Sequence, residues 1–198
     1  MLMKWLTNWQ VSLVAAVLLT NALVSPAIAQ TGNQSDATGP ILSTSDFAGQ
    51  TFPIPFVRTE FQGGEPAQIA VNQAAASLNI QLADNNLTSP TGTPIPAAVQ
   101  ELLLSILTGD AQAGNNINAV TAALYSASGA PLDLIQDLLN RLEGLTLGNA
   151  VNPVNLLAAV QAYNAMILAS NEEFLRNPPA ELRAIQASLA KLVQPTIS

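Results

Sequence analysis

From Ala67 onward the apolar residues of this chain recur at helical spacing. Ala67, Val71, Ala74, Ala75, Leu78 and Leu82 share one helix face, and the pattern fades at Asp84-Asn85-Asn86. Thr93 and Pro94 predict the cap and first residue of a second helix, which carries Val99, Leu102, Leu103, Ile106 and Leu107 inward and ends at Gly109. A third is predicted from Ala111 or Asn115 to Ala127, with Ile117, Val120, Leu124 and Ala127 inward and Gly129 as its stop. Pro131 opens a fourth, with Leu134, Ile135, Leu138, Leu139 and Leu142 on its stripe and Gly144 closing it.

Gly144 to Asn152 lacks clear helical spacing and reads as an irregular connector. Asn152-Pro153, cap then first-turn proline, is the strongest start signal and leads into a helix through Leu168. Asn171-Glu172-Glu173 suggests a short turn. Pro178-Pro179 then breaks the chain ahead of a last helix over 180–193, with Leu182, Ile185, Leu189 and Leu192 on one face. Short connections imply antiparallel neighbours. The expected fold is therefore all-α: a bundle-like domain of five to six helices over residues 67–198.

The segment ahead of it is patterned differently. Residues 47–66 hold Phe47, Phe52, Phe56 and Phe61, four of the five phenylalanines, interleaved with Pro53, Pro55 and Pro66. Proline removes backbone donors and drives the preceding residue toward extended geometry, so Phe52, Ile54 and Phe56 would project from one side of an extended arm. Burying each Phe is worth about 1.5–3 kcal/mol, which argues against an arm hanging free in water. It is expected to lie across the protein's own helices or to dock on a partner or a second copy, with Phe47, Phe52, Ile54, Phe56 and Phe61 as the docking residues. Residues 30–46 are polar and rich in Gly, Ser and Thr, and read as a flexible leader.

Residues 1–29 read as a signal peptide. Lys4 is followed by an apolar core over Val11 to Val24 and by Ala27-Ile28-Ala29, a small-x-small cleavage pattern. A retained anchor would need about 20 apolar residues, and Ser12, Thr20 and Asn21 interrupt this shorter core. Removal, with Gln30 as the new N-terminus, is the expectation, and so is a periplasmic or secreted location without stable membrane insertion.

Composition then narrows the function. The chain has 13 acids against 6 bases, and losing Lys4 with the signal segment leaves a net charge of about −8. Such a surface repels nucleic acid and anionic headgroups. There is no His and no Cys, which removes Ser-His-Asp and Cys-His nucleophile systems, the usual zinc sites, thiol redox chemistry and disulfide staples. The roughly 170 residues after the signal suffice for one domain that bury about 70% of its unfolded surface without staples.

Carboxylate catalysis or an oxygen-liganded cation survives this cull. Asp84-Asn85-Asn86 and residues 110–116 supply oxygen ligands, but neither fits a calcium loop, and Asx-rich stretches commonly cap helices. Asp137 to Arg141 and Glu172 to Arg176 have the i,i+4 order of solvated helix faces. Tyr125 and Tyr163 fall on helix stripes, where core or rim positions are expected. No catalytic, cofactor or metal residue is nominated.

The run Asn155-Leu-Leu-Ala-Ala-Val-Gln-Ala-Tyr-Asn-Ala-Met-Ile-Leu-Ala-Ser, with Glu173-Phe-Leu-Arg-Asn-Pro-Pro-Ala-Glu-Leu and Ile185-Gln-Ala-Ser-Leu-Ala-Lys-Leu-Val, resembles uncharacterised exported proteins of cyanobacteria. That resemblance covers the C-terminal region and the style of the signal segment. It implies export and no reaction. The expected function is that of an exported, non-enzymatic protein acting by self-association or by binding an envelope or extracellular partner. The alternatives are a carrier holding a small apolar ligand between helices, and a carboxylate hydrolase with two acids converging in a groove.

Overall fold

The computed structural model describes residues 41–42, 56–57 and 65–196. Within them seven α-helices follow one another: α1 (Glu65–Ala83), α2 (Ala97–Thr108), α3 (Ala113–Ser128), α4 (Leu132–Leu142), α5 (Pro153–Ala169), α6 (Glu172–Arg176) and α7 (Ala180–Val193). The domain is an all-α bundle. Six of these are the helices expected from spacing, and the seventh, α6, is the short turn at Asn171 drawn out to five residues.

Each stripe goes inward. Val71, Ala75, Leu78 and Leu82 of α1, Leu103, Ile106 and Leu107 of α2, Val120 and Leu124 of α3, and Ile135, Leu138, Leu139 and Leu142 of α4 join one core. Helix α7 is its axis. It packs against α1, α2, α3 and α5, so Ala184, Gln186, Ala187, Ser188 and Ala190 are buried along with its leucines. A stripe of four apolar residues understates this helix, because its small residues let neighbours close in on every side.

Helix ends follow their local chemistry. Asn152 and Asn171 accept from the backbone N–H groups of Val154 and Phe174 and cap α5 and α6. Gly109 closes α2 with φ 65°. A Cβ there would stand 3.2 Å from the Cα of Gly144, at the point where the Gly144 N–H reaches the Ile106 carbonyl at 2.8 Å.

The start of α2 differs from expectation. Thr93 does not cap it and Pro94 is not its first residue. Thr88 and Pro94 form an antiparallel bridge, and Ser89 N–H donates to the Thr93 carbonyl at 2.9 Å. The backbone of Thr93 is committed to a closed loop, so the helix starts only after Pro96, whose carbonyl accepts from Val99 and Gln100. At the end of α3, Ala127 is exposed and Ser128 takes the inward position.

Ile41–Leu42 and Phe56–Val57 form β1 and β2, an antiparallel pair with Ile41 opposite Val57 and Leu42 opposite Phe56. The leader is thus paired, not free, at its two adjacent apolar residues. β2 packs on α5 and α7, and Val57 is buried there. Phe56 belongs to this strand, whereas Phe47, Phe52, Ile54 and Phe61 lie outside the described residues, as does the signal segment. Among the described residues no helix is long and apolar enough to cross a membrane.

Candidate functional site: an uncharged face and a polar cleft

Two long runs of sequence carry no ionisable side chain, 66–83 and 144–171. The first is α1 after its opening residue; the second is the α4–α5 connector followed by α5. The fold lays the connector along α1. Gln68 Nε2 donates to the Val151 carbonyl at 2.7 Å and to Asn72 Oδ1 at 2.9 Å, and Asn72 Oδ1 accepts from Val151 N–H at 3.1 Å. Farther along the helix, Asn79 Nδ2 donates to Asn149 Oδ1 at 2.9 Å while Asn79 Oδ1 accepts from the Thr146 hydroxyl at 2.9 Å. These three side chains stand in one row, because offsets of four and eleven residues bring a helix back to the same side.

The neighbouring row of α1 is Ile69, Ala76, Ile80 and Ala83, and it faces solvent. Ile69 is 52% exposed and Ile80 62%. On the connector side, Leu147 is 64% exposed and Val154 73%. Leu147 follows Thr146, which is held by Asn79, and Val154 begins one turn after Val151, which is held by Gln68 and Asn72. An apolar strip without charge therefore runs along α1 and its latch. Two isolated isoleucines would be ordinary on a protein surface; an aligned apolar strip is the kind of patch that marks a docking face.

Acids and bases collect on the other elements. Asp137–Arg141 at 2.9 Å and Glu172–Arg176 pair across one helical turn on exposed faces, an arrangement of small energetic weight. Asn85, with φ 56°, closes α1 as its N–H reaches the Leu82 carbonyl and that of Asn86 reaches Gln81, so Asp84-Asn85-Asn86 is a helix end. Among the described residues no three acids gather as a metal cluster. Tyr163 is fully buried, and desolvation pushes its hydroxyl well above the ordinary value, whereas Tyr125 is exposed on α3.

One groove, of about 460 Å³, is lined by both Glu101 and Asp110. That pairing is what a carboxylate hydrolase needs, but the chemistry does not follow. A general acid at neutral pH requires a carboxyl kept protonated by an apolar setting. Glu101 is exposed, and Asp110 is held below the usual carboxylate range by the Ser105 hydroxyl and by the backbone N–H of Gln112. Asp110 serves the turn between α2 and α3. No aromatic side chain lines the groove to stack a sugar.

Fold and surface together define a cysteine-free helical bundle with one uncharged apolar face. No known protein family, curated protein or solved structure matches the chain.

Proposed function

We propose that this chain is an exported, non-enzymatic protein of the periplasm or extracellular space that works by associating with a second copy of itself through the Ile69–Ile80–Leu147–Val154 face. The observation that carries this reading is the alignment of four exposed apolar side chains on a strip with no ionisable residue. The chain is acidic, with a formal charge of −7. Copies meeting through charged surface would repel, and an uncharged strip lets them approach. Paired about a two-fold axis, the strip would cover itself.

The signal pattern of residues 1–29 and the resemblance of the C-terminal region to exported cyanobacterial proteins support the address. The acidic balance supports a protein partner over nucleic acid. A carrier of apolar ligands is less well supported, because both clefts described on the surface are lined by charged and polar side chains.

Sedimentation velocity across a wide concentration range tests the proposal. The native protein is expected to associate reversibly, and Ile69→Glu/Ile80→Glu to remain monomeric with unchanged helix content. A native protein that stays monomeric throughout, or association untouched by the double substitution, would overturn it.

A further inference from the structure

Arg183 stands in the first turn of α7, half-buried. Its Nη1 donates to the Pro178 carbonyl at 3.1 Å, which fixes the guanidinium plane. Its Nε is buried and has no hydrogen-bond partner. Neither ion pair among the described residues uses it. A buried donor without a partner is costly and calls for an explanation, and the commonest one is a ligand or ion that completes it.

Arg183 lines a cleft of about 290 Å³ between the 89–93 turn and the α6–α7 junction. Facing it, Ser89, Thr91 and Thr93 bring three hydroxyls together. Ser89 Oγ lies 2.9 Å from Thr91 Oγ1, which lies 3.3 Å from Thr93 Oγ1. The turn holding them is stiff: Ser89 Oγ accepts from Thr93 N–H at 3.0 Å, and the Gly92 N–H donates to the Ser89 carbonyl at 2.9 Å. Arg176 contributes a second guanidinium to the rim.

The charge of the cleft runs against that of the molecule. Two of only six bases line it, and no carboxylate among the described residues does, in a chain with 13 acids. Glu172 is occupied by Arg176, and Glu181, which shares the first turn of α7, does not line the cleft. The N-terminal end of α7 adds its partial positive charge on the same side.

We propose that this cleft binds a small oxyanion, a carboxylate or phosphate group carried on a compact polar molecule. The anionic group sits on the fork of Arg183, where planar bidentate pairing is favoured. Hydroxyls of the ligand meet Ser89, Thr91 and Thr93. The cleft is built from residues separate from the uncharged strip, so this binding does not depend on self-association.

Isothermal titration of the purified full chain with inorganic phosphate and with gluconate, each compared with glucose at matched ionic strength, tests it. Saturable binding of either anion and none of glucose is expected. Phosphate alone points to a phosphoryl ligand and gluconate alone to a carboxylate. Arg183→Gln is expected to weaken binding roughly tenfold or more. Thr91→Ala, on an exposed residue, is expected to weaken it several-fold with an unchanged unfolding temperature, and it decides the matter if Arg183→Gln does not fold. Absence of saturable binding for both anions, or binding equal in native and variant proteins, overturns the proposal.

Discussion

Asn164 on α5 grips the backbone of Val57 from both sides: its Oδ1 accepts from Val57 N–H at 3.0 Å and its Nδ2 donates to the Val57 carbonyl at 2.7 Å. A side-chain amide here plays the part of a neighbouring strand and satisfies both polar groups of one residue. This pins β2 to the chain's own bundle while the Val57 side chain is buried.

Asn164→Ala removes both bonds, at about 1 kcal/mol each. The bundle does not depend on them. Far-UV circular dichroism is therefore expected to stay native while tryptic cleavage after Arg58 accelerates. Cleavage at the native rate would show that burial of Val57 alone secures the segment.

Gln100 makes a comparable clamp inside the protein. It is buried in α2, its Oε1 accepts from Leu87 N–H at 2.8 Å, and its Nε2 donates to the Ile95 carbonyl at 2.7 Å. Gln100→Leu keeps the volume and orphans two buried backbone groups. Each carries a desolvation penalty of about 1–3 kcal/mol, so urea unfolding is expected to report a loss of about 2–4 kcal/mol. A loss below 1 kcal/mol would mean that the 87–95 loop rehydrates freely. Because that loop carries the hydroxyl side of the oxyanion cleft, the same variant is expected to lose affinity for the anion.

Much of this architecture was readable from spacing, and the reason is specific. Helices α1 to α4 are amphipathic, so Leu78 and Leu82, or Leu138 and Leu142, declare their face by recurring every three or four residues. Glycines at 109 and 129 and the caps at 152 and 171 mark ends through purely local chemistry. The start of α2 was misread because Thr-Pro is a good cap pair, and the competing use of the Thr93 backbone comes from Ser89, outside any capping pattern. The strip along α1 had a signal, the two charge-free runs, but only the bonds from Gln68, Asn72 and Asn79 bring those runs together. The Arg183 cleft had none, since Ser89 and Arg183 meet through tertiary packing alone.

Asp110 provides a pH prediction. The Ser105 hydroxyl, 2.5 Å away, and the Gln112 N–H at 2.7 Å stabilise its charged form and lower its pKa in the folded protein. With the folded pKa below the unfolded one, the stability it adds is present above the ordinary carboxylate value near 4 and is lost as pH falls through the folded pKa. Thermal unfolding followed from neutral pH downward is expected to show a shallower acid decline in Asp110→Asn than in the native protein, together with a lower starting Tm. Parallel curves would rule out this contribution.

Thr146 links stability to the proposed interface. It is fully buried in the connector, its hydroxyl lies 2.9 Å from Asn79 Oδ1 and 3.1 Å from the Leu107 carbonyl, and its N–H donates to that same carbonyl at 2.8 Å. Thr146→Val conserves shape and backbone bonding and removes only the hydroxyl, leaving Asn79 Oδ1 short of a donor. A loss of about 1–2 kcal/mol is expected. The more telling readout is local: amide exchange at Leu147 and Asn149 should quicken while exchange in α7 changes only with global stability. If Leu147 is part of a self-complementary face, loosening the turn that presents it also weakens self-association, because ordering that turn must then be paid at the moment of contact. Faster exchange with association undiminished would assign Thr146 to the fold alone and remove Leu147 from the interface.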